Sequence, residues 1–397
     1  MSGAGRALRN LGLDGKLVRV ERGRHTRKQA ARIGRRALAG AAACAVLIGL
    51  SGCSGSIAGL TVDPGTTPVP SRDPAHATTL QIRYLGAGGV LLKRGDDAVL
   101  TAPFYSNPTF SQIVFGQLGF VAFESNPAEI RRFLGPKDRD DLAPVTAVLV
   151  GHAHYDHLMD LPYIKQHFLP NATIYGSDTM QHTLAGDKTL DPAKVKSLEP
   201  RAWSVPAEGQ PEAPAQWTPV GPRLRVLALQ SEHAPIFGGW WKFSPGAYQA
   251  PLKALPARPW GWREGQTLAY LIDFLGADGT TVDFRIHYQD AASTPPLGFP
   301  PLFRGTPDER RVDVAILCVP GFNQVKNYPE ALIERIKPRS VVLVHWEDFF
   351  APLPDDAREL RVVANTDVAD FLARLKPGAR DARVTMPAPG AWLRYAP

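Results

Sequence analysis

The chain has 397 residues, of which 44% are hydrophobic and 21% charged, an ordinary globular composition with enough length for one large domain or two small ones. Its formal net charge of +7 does not mark a nucleic-acid surface. Residues 1–36 hold 11 of the 45 Lys+Arg and 2 of the 38 Asp+Glu, leaving 34 basic against 36 acidic residues in the remainder.

The basic leader reads as a targeting segment. Arg32, Arg35 and Arg36 precede an uncharged apolar run from Ala37 to Leu50, short for a transmembrane span and typical of a signal core. The run ends in Leu50-Ser51-Gly52-Cys53, which resembles the lipobox of bacterial lipoproteins. That resemblance implies cleavage before Cys53, lipid modification of its thiol, and a membrane-anchored protein facing the periplasm or the cell exterior. Arg35-Arg36 also resembles part of a twin-arginine signal, and an uncut single-span anchor is the alternative. Residues 1–52 are thus expected to be a signal segment, 53–79 a lipidated cysteine with a flexible linker rich in Gly, Ser, Thr and Pro, and 80–397 the folded domain. Of the other cysteines, Cys44 falls in the leader and Cys318 in the apolar run Val312 to Val319, so no intramolecular disulfide framework remains.

The folded part opens with an alternating strand, Leu80 to Leu85, then Gly86-Ala87-Gly88-Gly89 and strands over Val90 to Lys93 and Ala98 to Leu100. Residues 103–143 read as a long connection with one helix starting near Pro127. A buried strand over Val145 to Val150 follows, then a helix from Asp160-Leu161-Pro162 to Phe168, a strand over Ala172 to Tyr175 and a weak helix over Ala193 to Lys196. Leu224 to Leu229 is a strand ending at Ser231-Glu232-His233, and the next stretch, 236–262, holds half of the 8 tryptophans, as a flap or pocket wall or as a small subcore under a loop. Strands Ala269 to Phe274 and Val282 to His287 flank the hairpin signal Gly276-Ala277-Asp278-Gly279. Then come a strand in Val312 to Val319, a helix over Tyr328 to Ile336, a strand over Ser340 to Val344, a helix over Val368 to Leu375, and short strands near Arg383 and Trp392. The alternation of helix and strand indicates the α/β class.

One stretch carries the chemistry. Gly151-His152-Ala153-His154-Tyr155-Asp156-His157 packs three imidazoles and a carboxylate directly behind a buried strand. In an extended segment alternate side chains share a side, so His152 and His154 can hold one ion while Asp156 and His157 face a second. Histidine and carboxylate without cysteine favour zinc, or iron or manganese, over calcium or magnesium. Three later strand ends add His233, Asp290 and His345, and in an α/β protein such ends converge on one sheet edge.

This pattern closely resembles the metallo-β-lactamase superfamily of metallo-hydrolases, whose His-x-His-x-Asp-His motif is followed by single His, Asp and His ligands. Val-Leu-Val-His345-Trp-Glu-Asp-Phe and the His-Tyr155-Asp-His wording are similar to its lactonase and N-acyl-phosphatidylethanolamine phospholipase D-like branch. The resemblance implies an αββα sandwich, with His152, His154 and His233 on one ion, Asp156, His157 and His345 on the other, and Asp290 bridging. It departs from the family at Ala102-Pro103, where Asp-Pro is usual, and at Gln289, where glycine commonly precedes the bridging aspartate; Asp283 is the alternative bridge.

Two such ions about 3.5–4 Å apart lower the pKa of a bridging water towards neutrality, giving a hydroxide for an ester, lactone, amide or phosphodiester bond. Asp156 is then the residue to orient that nucleophile and move its proton, and His287 and Tyr288 are candidates to donate to an oxyanion. The Trp-rich stretch and the anchor suggest a small-molecule substrate of lipid-like character. The rivals are an iron-dependent oxidoreductase on the same fold and a non-catalytic metal-binding lipoprotein.

Overall fold

Period-two alternation in the strands decides which face each side chain serves. In a computed structural model that describes residues 57–101, 103–135, 138–236 and 242–396, Leu80, Ile82 and Tyr84 of β1 (Leu80–Gly86) and Val90 and Leu92 of β2 (Gly89–Arg94) enter one core. Leu91 of β2 points into the other core, which also holds Leu161, Ile164, Met180 and Leu184 from covering helices. The sheet is therefore buried on both faces.

That sheet runs β14-β1-β2-β3-β4-β5-β6, with β3 (Asp97–Thr101), β4 (Val145–Leu149), β5 (Thr173–Gly176), β6 (Val195–Ser197) and β14 (Trp392–Tyr395). The second runs β13-β12-β11-β10-β9-β8-β7, with β7 (Thr218–Gly221), β8 (Leu224–Gln230), β9 (Leu268–Leu275), β10 (Val282–Gln289), β11 (Val314–Cys318), β12 (Ser340–Val344) and β13 (Arg383–Thr385). The larger core draws on both sheets, including Ala147 and Leu149 of β4 with Ile272, Ile286 and Val342 opposite, so the expected αββα sandwich is the observed architecture.

Strand direction sets where the ligands emerge. β8 is antiparallel to β9 and β9 to β10, so β8 and β10 run the same way; β11 and β12 follow β10 in parallel. The carboxyl ends of β8, β10 and β12 therefore share one edge, and they release His233, Asp290 and His345 there.

Helices are α1 (Phe110–Leu118), α2 (Pro127–Phe133), α3 (Arg139–Leu142), α4 (Tyr155–Leu158), α5 (Leu161–His167), α6 (Asp178–Leu184), α7 (Glu330–Ile336) and α8 (Val368–Leu375). Three expectations need correction. Residues 103–143 hold three helices where one was expected; α1 starts at a capping box in which Thr109 and Gln112 exchange hydrogen bonds. Ala193 to Lys196 is not a helix: Asp191 caps a single 3₁₀ turn at Pro192–Lys194, and Val195 then pairs with Ile174 as β6. The segment read as a linker is laid against the domain from Asp63 onward, through Asp63 N–H to Met386 O, Thr66 N–H to Trp392 O and Val69 N–H to Gln81 Oε1. The signal run, Cys53 and residues 237–241 of the Trp-rich stretch lie outside the described residues. Among the described residues no helix is long and apolar enough to cross a membrane.

Candidate metal centre

The loop leaving β4 cannot be a generic turn, because Asp290 presses against its first residue. A Cβ on Gly151 would lie 2.0 Å from the Asp290 Cγ, so only glycine lets the two segments meet. Gly88 does the same for His157, whose ring a Cβ there would approach to 2.7 Å. Gly88 of the 86–89 turn thus makes room for an imidazole.

Between these contacts the chain gathers all seven expected residues. His152, His154 and His233 present nitrogens within 4.8 Å of one another, and so do the ligand atoms of His152, Asp156 and His157. His345 Nε2 lies 3.4 Å and His157 Nε2 3.6 Å from Asp156 Oδ2. Asp290 stands between the groups, with Oδ2 2.5 Å from His152 Nδ1 and Oδ1 3.3 Å from His157 Nδ1. Asp283 sits at the far end of β10, paired with Arg94, and takes no part. His287 also faces away: pleating sends it opposite to Tyr288 and Asp290, and its Nε2 meets the carbonyl of Gly298 at 2.9 Å.

All of these side chains except that of the half-buried His233 are buried. Nε2 of His152, of His154 and of His157 has no hydrogen-bond partner. A buried polar atom without a partner is costly, and three that converge with carboxylates form a donor set suited to divalent cations. His233 is oriented by Nδ1 against the carbonyl of Ala234 at 2.7 Å, which leaves its Nε2 for the cluster.

Electrostatics agree with that donor set. Burial and the neighbouring His157 push His152 down to about 4, and burial also holds His154 and His233 low, so these imidazoles are neutral as ligands must be. Burial opposes charge on His157 too, yet Asp290 and Asp156 raise it to about 9. Burial alone would raise both carboxylates, but His157 draws Asp156 and Asp290 below the usual range. The two carboxylates thus favour positive charge beside them, which an imidazolium or a bound cation supplies.

Around it lies a layer of which sequence reasoning singled out Tyr288 alone, and for a different role. The Tyr288 hydroxyl lies 2.6 Å from Asp290 Oδ1 and 2.7 Å from the carbonyl of Gly88, holding the carboxylate rather than pointing at an open oxyanion position. His345 has a left-handed φ of 61°, and its N–H donates to the Tyr84 hydroxyl at 2.8 Å. That hydroxyl donates in turn to buried Glu347, which also accepts the Ala87 N–H. Asp160 accepts from the N–H groups of Tyr105 and Ser106, both at 2.8 Å, and so fixes the loop after β3. Phe243, just past the undescribed residues, lies 5.3 Å from His154 and 5.7 Å from Tyr155, so its part of the Trp-rich stretch is a wall of the site.

Residues 119–282 match the family model described as a beta-lactamase superfamily domain. Among solved structures the chain is similar to Igni18, a metallo hydrolase from the archaeon Ignicoccus hospitalis, at 14% identity over 80% of this chain and 99% of that one, with a TM-score of 0.42. It is similar to the metallo-beta-lactamase fold protein YhfI from Bacillus subtilis at 14% identity over 80% and 100%, TM-score 0.41. A third is isothiocyanate hydrolase from Delia radicum gut bacteria, at 13% identity over 80% and 100%, TM-score 0.43. No curated protein matches the sequence.

Proposed function

We propose that the chain is a hydrolase of the metallo-β-lactamase superfamily dependent on two divalent ions, zinc by the chemistry of its donors; the match of residues 119–282 to a beta-lactamase superfamily domain supports this reading. The observation that carries this reading is the convergence of His152, His154 and His233, from two separate segments, in which the buried Nε2 atoms of His152 and His154 are satisfied by no protein group. These three hold one ion. Asp156, His157 and His345 hold the other, and Asp290 lies between. Once bound, the ions polarise a scissile carbonyl or phosphoryl group and lower the pKa of adjacent water.

The protein's own groups do the rest. Asp156, the most exposed of the buried ligands at 9%, orients the attacking water and takes its proton. Tyr288 and Gly88 hold Asp290 in place, while Phe243 and Tyr155 exclude bulk water from the His154 side. The substrate class is an ester, lactone, amide or phosphodiester. The chain is exported, and lipid on Cys53 anchors it to the membrane.

A panel of soluble esters, lactones, amides and phosphodiesters, tested with the zinc-loaded full chain, checks the reading. Turnover of at least one class, abolished in His154→Ala, is expected. Equal rates for the chain and its His154→Ala variant across the panel would leave a non-catalytic metal protein.

A further inference from the structure

His233 and Asp290 must keep a fixed separation if one cluster is to use both, yet the strands that release them are not neighbours. β9 lies between β8 and β10, which sets those two about 10 Å apart. The ladder from β8 to β9 ends at Gln230 and the ladder from β10 to β9 ends at Tyr288, so both ligands project beyond the pairing with β9. What sets one against the other there is side chains and the loop that follows Asp290.

Gln289 stands directly before Asp290, and pleating sends its side chain to the opposite face of β10. Its Nε2 lies 2.7 Å from the Ala291 carbonyl, 2.9 Å from Ser231 Oγ and 3.0 Å from Ser293 Oγ. Ser231 Oγ lies 2.6 Å from Ser293 Oγ, which donates to the Glu232 carbonyl at 2.5 Å and receives the Glu232 N–H at 3.2 Å. An amide nitrogen can only donate and a carbonyl only accept, so the hydrogen bonds run one way, from Gln289 through Ser231 and Ser293 to Glu232. All three side chains are buried. A second strap lies alongside: His287 Nε2 donates to the Gly298 carbonyl at 2.9 Å, and the Gly298 N–H donates to the Gln230 carbonyl at 2.7 Å. Gly298 has φ 81°, and a Cβ there would lie 2.3 Å from Gln289 Oε1, so the loop closes on the glutamine only as glycine. That Oε1 is buried without a hydrogen-bond partner, a cost that an apolar side chain of the same size would avoid. Packing alone therefore does not account for an amide at this position.

We propose that Gln289, Ser231 and Ser293 are positioning residues, whose chain of hydrogen bonds clamps the end of β8 to the end of β10 and so fixes His233 against Asp290. This deepens the hydrolase reading above and rests on it for the chemistry. His233 enters the cluster from a backbone gripped on both sides, by Ser293 at Glu232 and by its own Nδ1 at the Ala234 carbonyl. Asp290 is gripped likewise, between the bond from Gln289 to the Ala291 carbonyl and the Tyr288 hydroxyl on its carboxylate. Cutting the chain frees the two strand ends to drift apart, and the ion held by His152, His154 and His233 is the one that depends on where His233 stands.

The test titrates zinc into the metal-free full chain by calorimetry and compares wild type with Gln289→Met, which keeps the volume and removes the donors, with Ser293→Ala, and with the double variant. His154→Ala identifies the binding step that belongs to His152, His154 and His233. In each single variant that step is expected to weaken about 10- to 100-fold while the other step is kept. The double variant is expected to lose little more than either single one, because both cut the same chain. Variants that keep both steps of a two-step wild type overturn the proposal and leave the hydrolase reading intact. Losses that add in the double variant, or an equal weakening of both steps, also overturn it and make the network a brace of the fold alone. A wild-type chain that binds no zinc overturns both readings.

Discussion

Gly151 and Tyr84 show how single residues hold the centre together without binding anything. Gly151→Ala must displace the Asp290 carboxylate, because its Cβ would sit 2.0 Å from Cγ. The expected cost is about 1–3 kcal/mol of stability, with loss of the ion that depends on Asp290, read by thermal melting and by metal content. Tyr84→Phe removes the hydroxyl that links the His345 N–H to Glu347. His345 then loses the partner of its left-handed backbone, and affinity for one ion should fall about 10- to 100-fold by titration calorimetry while the other is kept. The convergent cluster was legible in the sequence because His-x-His-x-Asp-His is dense and stands directly behind an apolar run. Tyr84 was not, since it reads as one more apolar position in β1 and Glu347 is 263 residues away. His287 and Tyr288 were legible as neighbours of Asp290 but not in their roles, which depend on which face of β10 each takes.

Among the elements, α1 opens the long connection between β3 and β4. Its capping box is exposed, so Thr109→Ala should cost about 1 kcal/mol and lower the melting temperature without disturbing the buried cluster. The sequence hid this helix because Gly116, Gly119 and the flanking Asn107-Pro108 look like loop punctuation. One of them is a packing position against Phe123 and another is the left-handed cap at Gly119 with φ 81°. The error at Ala193 to Lys196 has the opposite origin. Local propensity there favours helix, and edge pairing with β5 outweighs it. Strand positions were the most legible, since burial on both faces demands continuous apolar runs. Leu343→Ala in β12, fully buried between its neighbours, should cost about 2–5 kcal/mol in denaturant unfolding.

In the whole molecule the two sheets repeat one pairing pattern, three antiparallel neighbours followed by three parallel ones. The ligand loop after β4 belongs to one sheet, and His233, Asp290 and His345 belong to the other. The centre is therefore a clasp across the sandwich. Ions that bind only the folded chain stabilise it by mass action, about 2.7 kcal/mol at a hundredfold excess over the dissociation constant, so chelation should lower the melting temperature and added zinc should restore it. The sandwich was legible from the order of strands and strand-end ligands. The docked course of residues 63–79 was not, because its bonds to Met386 and Trp392 span more than 300 residues of sequence. The most direct test is the metal content of the purified full chain and of His154→Ala and His345→Ala, measured by mass spectrometry. About two divalent ions per chain are predicted, falling to about one in each variant; a folded wild-type chain that binds no ion, or variants that keep both, would contradict the account.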